Sequence, residues 1–246
     1  MLAVTDHDTV AGLAAARDEA HELGLVLITG VEISTQVDAL EMHILGYGFD
    51  PASPALGSLL GAQVEARRAR IPAVLDKLAR LGLPITVEEV EACARGAPPG
   101  RPHIAEALVA RRYVKDEDDA FRRYLADGAP AWVPKPVPAP REAIAAIHAA
   151  GGKAVWAHPL GRAIQRPGGF DRLVHELAGA RLDGLEVVHP GHSPEARKRI
   201  RRAARELDLL VTGGSDFHGR LTPGVSIGRG RGEDEVPASW GEALLR

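Results

Sequence analysis

The chain has little of what several protein classes require. Its 246 residues hold one cysteine, Cys93, which excludes an internal disulfide framework and a thiolate-built zinc site. Aromatic residues make up 4%, so aliphatic side chains must build the core. No apolar run approaches the roughly 20 residues needed to cross a bilayer. No basic segment followed by an apolar one stands at the start, so no secretory signal is read there. Lys and Arg do not outnumber Asp and Glu, and the net charge of −3 argues against coating nucleic acid by bulk electrostatics. The expectation is a cytoplasmic protein with no membrane association and no obligate protein partner.

What remains is an ordinary globular composition, 45% hydrophobic and 26% charged, with ample chain for a core. The pattern alternates apolar runs with helical periodicity. Val10 to Gly24 reads as a helix, with Gly24 suited to the position just past its end. Leu25-Val26-Leu27-Ile28 reads as a strand buried on both faces, ending in Thr29-Gly30-Val31-Glu32. Met42 to Tyr47 is a second short strand with His43 inside it.

Between about residues 54 and 138 the rhythm turns helical. Ser58 to Leu81 is a helix that Pro72 should kink or divide. Thr86-Val87-Glu88-Glu89 has capping-box spacing, Pro102 opens a helix, and Asp116 to Leu125 forms one more. This block reads as an insertion in a single domain spanning residues 1–246. Alternation then resumes: helix Arg141 to Ala150, strand Lys153 to Ala157, helix Phe170 to Leu177, strand Leu185 to Val188, helix Pro194 to Leu207 and strand Leu209 to Thr212. A Gly-rich tail turns weakly helical from Trp240. The alternation predicts a parallel sheet in an α/β fold.

Most of the apolar runs end in, or carry, a metal-ligand type: Asp6 and His7, Glu32, His43, His158, His189 and His192, Asp216 and His218. Strand ends of one polarity point to a single mouth if the sheet closes. One histidine at a strand end is usually a hydrogen-bonded structural residue, and Asp8 or Thr9 could simply cap the first helix. Six recurrences in one chain favour a metal cluster. Imidazoles and carboxylates without thiolates suit Zn²⁺, Mn²⁺ or Fe²⁺, and their number points to two or three ions sharing a carboxylate. His189 and His192 read equally as ligands or as residues that shape their loop.

Six segments in order carry a resemblance: Thr5-Asp6-His7-Asp8-Thr9, Gly30-Val31-Glu32, His43-Ile44-Leu45-Gly46-Tyr47, Gly100-Arg101-Pro102-His103-Ile104-Ala105, Ala149-Ala150-Gly151-Gly152 to His158-Pro159, and Gly214-Ser215-Asp216-Phe217-His218. The chain resembles the PHP (polymerase and histidinol phosphatase) metallophosphoesterases. Within them it is similar to the RNase AM type, which comprises 5′→3′ exoribonucleases and 3′,5′-nucleotide bisphosphate phosphatases. The resemblance implies a distorted (β/α)7 barrel with the helical insertion over its mouth. It implies two to three divalent ions, Mn²⁺ before Zn²⁺ or Fe²⁺. Glu32 would bridge two of them, one shared with Asp216 and the other with His43 and His158, while His7 and His218 would hold a third. Arg101 and His103, with Lys135 beside them, would grip a substrate phosphate, although Arg101 also reads as the flank of a Pro-started helix.

The implied substrate is a nucleotide or a short 5′-phosphorylated RNA, attacked by metal-bridging hydroxide with no side-chain nucleophile. Family members begin with a strand carrying His-x-His. This sequence opens at Met1 inside the second motif, so the expectation is a barrel lacking its first strand through a mis-assigned start, with impaired activity. A histidinol-phosphate-like monoesterase and a non-catalytic binding module are the alternatives.

Overall fold

A computed structural model describes residues 1–37, 40–160, 169–218, 227 and 236–245; most of the Gly-rich tail lies outside them. The chain forms two compact units, one of Met1–Leu60 with Val137–Arg246 and one of Gly61–Pro136.

The first unit is built on a six-stranded sheet in sequence order: β1 (Leu2–Val4), β2 (Leu27–Val37), β3 (Leu40–Tyr47), β4 (Lys153–Trp156), β5 (Gly184–Val188) and β6 (Leu210–Gly213). The sheet is mixed, which corrects the all-parallel expectation. β1 is parallel to β2, and β4, β5 and β6 are parallel to one another, but β3 runs against both β2 and β4. The cause is chain length. Only residues 38 and 39 separate β2 from β3, and a parallel return needs a crossover of a dozen or more residues.

β2 also differs from its expected bounds. It begins at Leu27 and runs through Glu32 to Val37, so Glu32 lies mid-strand. Leu25 and Val26 stay exposed in the turn after Gly24, which takes its expected place with φ +63°. Gly30 looked like a strand terminator but is an interior residue at a close approach. A Cβ there would stand 2.5 Å from the Val4 carbonyl oxygen. Gly30→Ala is therefore expected to force β1 from β2 and destabilise the unit by about 3 kcal/mol, at the upper end of overpacking effects. Urea denaturation measures this, and a change below about 0.5 kcal/mol would contradict the tight approach.

Helices α1 (Leu13–Glu22), α6 (Pro140–Ala149), α7 (Gly169–Gly179), α8 (Pro194–Glu206) and α9 (Ala238–Ala243) complete this unit. Pro140 and Pro194 open two of them, where a missing N–H is harmless. Ser193 caps α8 by accepting the Ala196 N–H. The core gathers Val31, Ile33, Ile44, Ile147, Leu185 and Val187 around Trp156, which stacks on Phe170. With so few aromatics, this pair is the largest fully buried volume.

The second unit is helical. It contains most of α2 (Pro54–Arg80), then α3 (Val87–Ala94), α4 (Arg101–Ala110) and α5 (Glu117–Ala120), which passes into a π-helical turn at Phe121–Leu125. Pro72 does not divide α2, which is one continuous helix. Thr86 and Glu89 form the expected capping box. Leu78, Val90, Ile104, Leu108 and Leu125 form its separate core, with Cys93 half-buried against it.

Candidate metal centre

The pairing of β1 with β2 continues past Val4. The Glu32 N–H donates to the Asp6 carbonyl at 3.0 Å and the Asp8 N–H to the Glu32 carbonyl at 2.8 Å, which lays His7 beside Glu32. Asp8 does not cap α1. It turns back, fully buried with φ +56°, and accepts the Ser34 N–H at 2.8 Å and the Ser34 hydroxyl at 3.0 Å. A buried carboxylate finds better donors on β2, and it is the alternative, Thr9, whose hydroxyl accepts a backbone N–H ahead of α1, that of Ala11 at 3.2 Å.

His43 reaches Glu32 across the β2–β3 pair. Glu32 lies opposite Leu45, and His43, two residues from Leu45, shares its face, so the two are diagonal neighbours within side-chain reach. His43 Nδ1 stands 2.7 Å from Glu32 Oε1. From the next strand, the Ala157 N–H donates to the His43 carbonyl at 3.1 Å and presents His158. Its Nε2 stands 3.1 Å from the same Glu32 oxygen and 3.2 Å from His43 Nδ1. His7 Nε2 faces the other oxygen, Oε2, at 3.7 Å.

β6 supplies the opposite wall. His218 Nδ1 is 3.5 Å from Asp216 Oδ1 and bonds the Asp216 carbonyl at 2.8 Å. That bond places the proton on Nδ1 and leaves the acceptor lone pair on Nε2. The His218 ring lies 5.9 Å from the His7 ring, centroid to centroid. His7, Glu32, His158, Asp216 and His218 all border one cavity of about 750 Å³.

These residues fit divalent cations. Glu32 Oε1, His43 Nδ1 and His158 Nε2 are mutually 2.7–3.2 Å apart. Bonds of about 2.1 Å at tetrahedral or octahedral angles set ligands roughly 3.0–3.4 Å apart, which the two His158 distances meet, while His43 and Glu32, now hydrogen-bonded, would part slightly to admit an ion. His7, Glu32 and His43 likewise offer ligand atoms within 4.8 Å of one another. Electrostatics favour a cation as well. Burial opposes charge on Glu32, but His7, His158 and His43 outweigh it and hold its carboxyl well below the usual carboxylate range. Burial alone would lower His43; Glu32 on one side and Glu41 on the other raise it to about 10. Burial also opposes charge on Asp216, yet the His189 and His218 imidazoles hold its carboxyl down.

Beside the cluster stand His189, which the sequence left open between ligand and loop former, and Glu186, which it did not single out. His189 Nδ1 accepts the Gly191 N–H at 2.9 Å, which leaves its proton on Nε2, 3.4 Å from Asp216 Oδ2. Glu186 is a carboxylate on an otherwise apolar, fully buried strand, and burial pushes its carboxyl up. A lone acid in Leu-Glu-Val-Val was its available signal. His192 is buried with Nδ1 on the Val187 carbonyl, and burial brings it down to about 4.

Arg101, His103 and Lys135 belong to the helical unit. Arg101 pairs with Asp127 at 2.5 Å and donates to the Leu125 carbonyl at 3.3 Å. His103 Nδ1 accepts the Gly100 N–H at the head of α4, and Lys135 donates to Gln63 at 3.0 Å.

A carboxylate that gathers imidazoles from neighbouring strands of an α/β sheet is a donor set suited to a divalent metal ion. Comparison with known proteins gives the class. No family model matches the chain. It is 37% identical over 230 residues to the 5′-3′ exoribonuclease Rnm of Escherichia coli, covering 93% of this chain and 78% of that protein. It is 32% identical over 240 residues to the 3′,5′-nucleoside bisphosphate phosphatase of Chromobacterium violaceum, covering 93% and 80%. A crystal structure from Bifidobacterium adolescentis, assigned as a metal-dependent phosphoesterase, superposes with a TM-score of 0.86 at 35% identity over 99% of this chain and 84% of that one. The chain belongs to the PHP metallophosphoesterases, in the branch of these exoribonucleases and bisphosphate phosphatases, and is a hydrolase of phosphate esters. Its curled, partly barrel-like sheet matches that of the Bifidobacterium adolescentis structure. Among the described residues no helix is long and apolar enough to cross a membrane.

Proposed function

We propose that this protein hydrolyses phosphate esters at nucleotide and RNA 5′ ends, as a 3′,5′-bisphosphonucleotide phosphatase and 5′→3′ exoribonuclease of the cytoplasm. The observation that carries the reading is the convergence of Glu32, His43 and His158 within 3.2 Å in a chain of this family. In this reading Glu32, His43, His158 and Asp216 hold two ions and His7 and His218 a third, with Mn²⁺ the first candidate. Bound there, the ions would supply Lewis acidity toward the phosphoryl oxygens and lower the pKa of a coordinated water. The finer reading of the sheet is a distorted (β/α)7 frame, within a single domain that carries residues 54–138 as its insertion.

The chain's own groups do the rest. Glu32 offers Oε1 to His43 and His158 and Oε2 to His7, so one carboxylate serves two directions. Glu41, 3.6 Å from His43 Nε2, orients that ring from behind. Arg101 and His103 would receive the substrate phosphate, with Lys135 in support. Arg101 must then exchange its half-exposed partner Asp127 for the phosphate, an exchange between two anions in water. Arg101→Ala should raise KM for a 5′-phosphorylated oligonucleotide about tenfold, the value of one charge-assisted hydrogen bond, with kcat nearly kept. An unchanged KM would remove Arg101 from the site.

The test is phosphate and nucleotide release from 3′,5′-bisphosphoadenosine and 5′-phosphorylated oligonucleotides. Turnover is expected with Mn²⁺, lost with chelator and restored on readdition. Metal-loaded protein that acts on neither substrate overturns the reading.

A further inference from the structure

Glu186 is a buried carboxylate with no role in the scheme above, and its neighbours give it one. It stands on β5, between β4 and β6 in the sheet, the two strands whose ends carry His158 and Asp216. Only 5% of Glu186 is exposed. Among the described residues the only hydrogen bond to its carboxylate comes from a backbone amide. The His158 N–H donates to Oε2 at 2.8 Å. The other oxygen, Oε1, points at the β6 exit, where a Cβ added at Gly214 would stand 3.4 Å away.

His158 needs such an anchor. Its φ is +30°, a left-handed backbone that a non-glycine residue adopts only when its surroundings enforce it. The peptide turns there so that the imidazole, rather than the chain, enters the cluster beside Glu32. Relaxing that turn would swing Nε2 away from Glu32 Oε1. A hydrogen bond from the strained residue's own N–H to a rigid, strand-borne carboxylate opposes the relaxation.

We propose that Glu186 is a positioning residue for the metal centre: by accepting the His158 amide it holds that residue's left-handed turn and so fixes the imidazole for ligation. This rests on His158 being a ligand. The requirement is for a hydrogen-bond acceptor in that place, so glutamine should serve and an apolar isostere should not. Outer-shell partners of this kind change metal affinity by about 10- to 100-fold when removed.

The experiment compares wild type, Glu186→Gln, Glu186→Met and His158→Ala, each stripped with chelator and titrated with Co²⁺. Affinity is read by calorimetry, the ligand field by visible absorption and folding by circular dichroism. Glu186→Met should weaken Co²⁺ binding at least tenfold and shift the absorption bands, while Glu186→Gln stays within about threefold of wild type with its bands unmoved. Wild-type affinity and spectrum in Glu186→Met would overturn the proposal. So would a tenfold loss in Glu186→Gln, which is also decisive if the Met variant does not fold. His158→Ala separates the two levels. If it binds Co²⁺ like wild type, the ligand assignment itself falls; if it binds weakly while Glu186→Met does not, only the positioning role falls.

Discussion

Glu32→Gln should lower kcat/KM on either proposed substrate by at least about a thousandfold while leaving the protein folded. Among the described residues Glu32 is the one that three imidazoles face, His43 and His158 at Oε1 and His7 at Oε2. The substitution keeps the volume and one acceptor but removes the charge that draws cations to the site. Metal ions supply several kcal/mol of transition-state stabilisation, and about 4 kcal/mol corresponds to a thousandfold in rate. The folded state should lose the part of its stability that the Glu32–His43 pair supplies but survive the change, because His43 sheds its extra proton once the carboxylate charge is gone. Steady-state assays with circular dichroism check both halves. A variant that retains a tenth of wild-type activity would mean Glu32 is a structural acid.

The second large effect is on pH. His43, raised to about 10 by Glu32 and Glu41, carries a proton at neutral pH until a cation displaces it. Binding a divalent ion at pH 8 should then release about one proton from this residue, and apparent affinity should rise close to tenfold per pH unit, or about a hundredfold between pH 7 and 9. The stability of chelator-treated protein should run the other way. A pKa raised on folding contributes stability that is complete below the unfolded value near 6.5 and fades as pH climbs through about 10. Calorimetry in buffers of different ionisation enthalpy counts the proton. Binding that is pH-independent above 7, with no proton released, would contradict the pairing of His43 with Glu32.

Much of this was readable before the fold, for a local reason. Ligand-type residues that terminate or interrupt apolar runs stand out against aliphatic neighbours, and His7, His158, Asp216 and His218 all do so. Pro102, Pro140, Pro194, Gly24 and Thr86 mark helix ends through backbone chemistry that needs no tertiary context. The direction of β3 was less legible, because alternation of elements does not reveal that two residues cannot carry a crossover. Gly30 misled for a related reason: a glycine inside a strand and one ending it look alike until the Val4 carbonyl packs against it. Asp8 went to Ser34, 26 residues away, and no local pattern announces such a partner. Glu186 was hidden in plain view, since a single acid within a buried strand acquires meaning only when the His158 amide is seen to point at it.

The most direct measurement is anomalous diffraction from a crystal of this protein soaked in Mn²⁺, with data collected on both sides of the manganese absorption edge. A peak is expected about 2.1–2.3 Å from Glu32 Oε1, His43 Nδ1 and His158 Nε2, with further density toward Asp216, His7 and His218. A fully soaked crystal with no peak among these atoms, or with manganese bound elsewhere on the surface, would contradict the metal centre and the hydrolysis assigned to it.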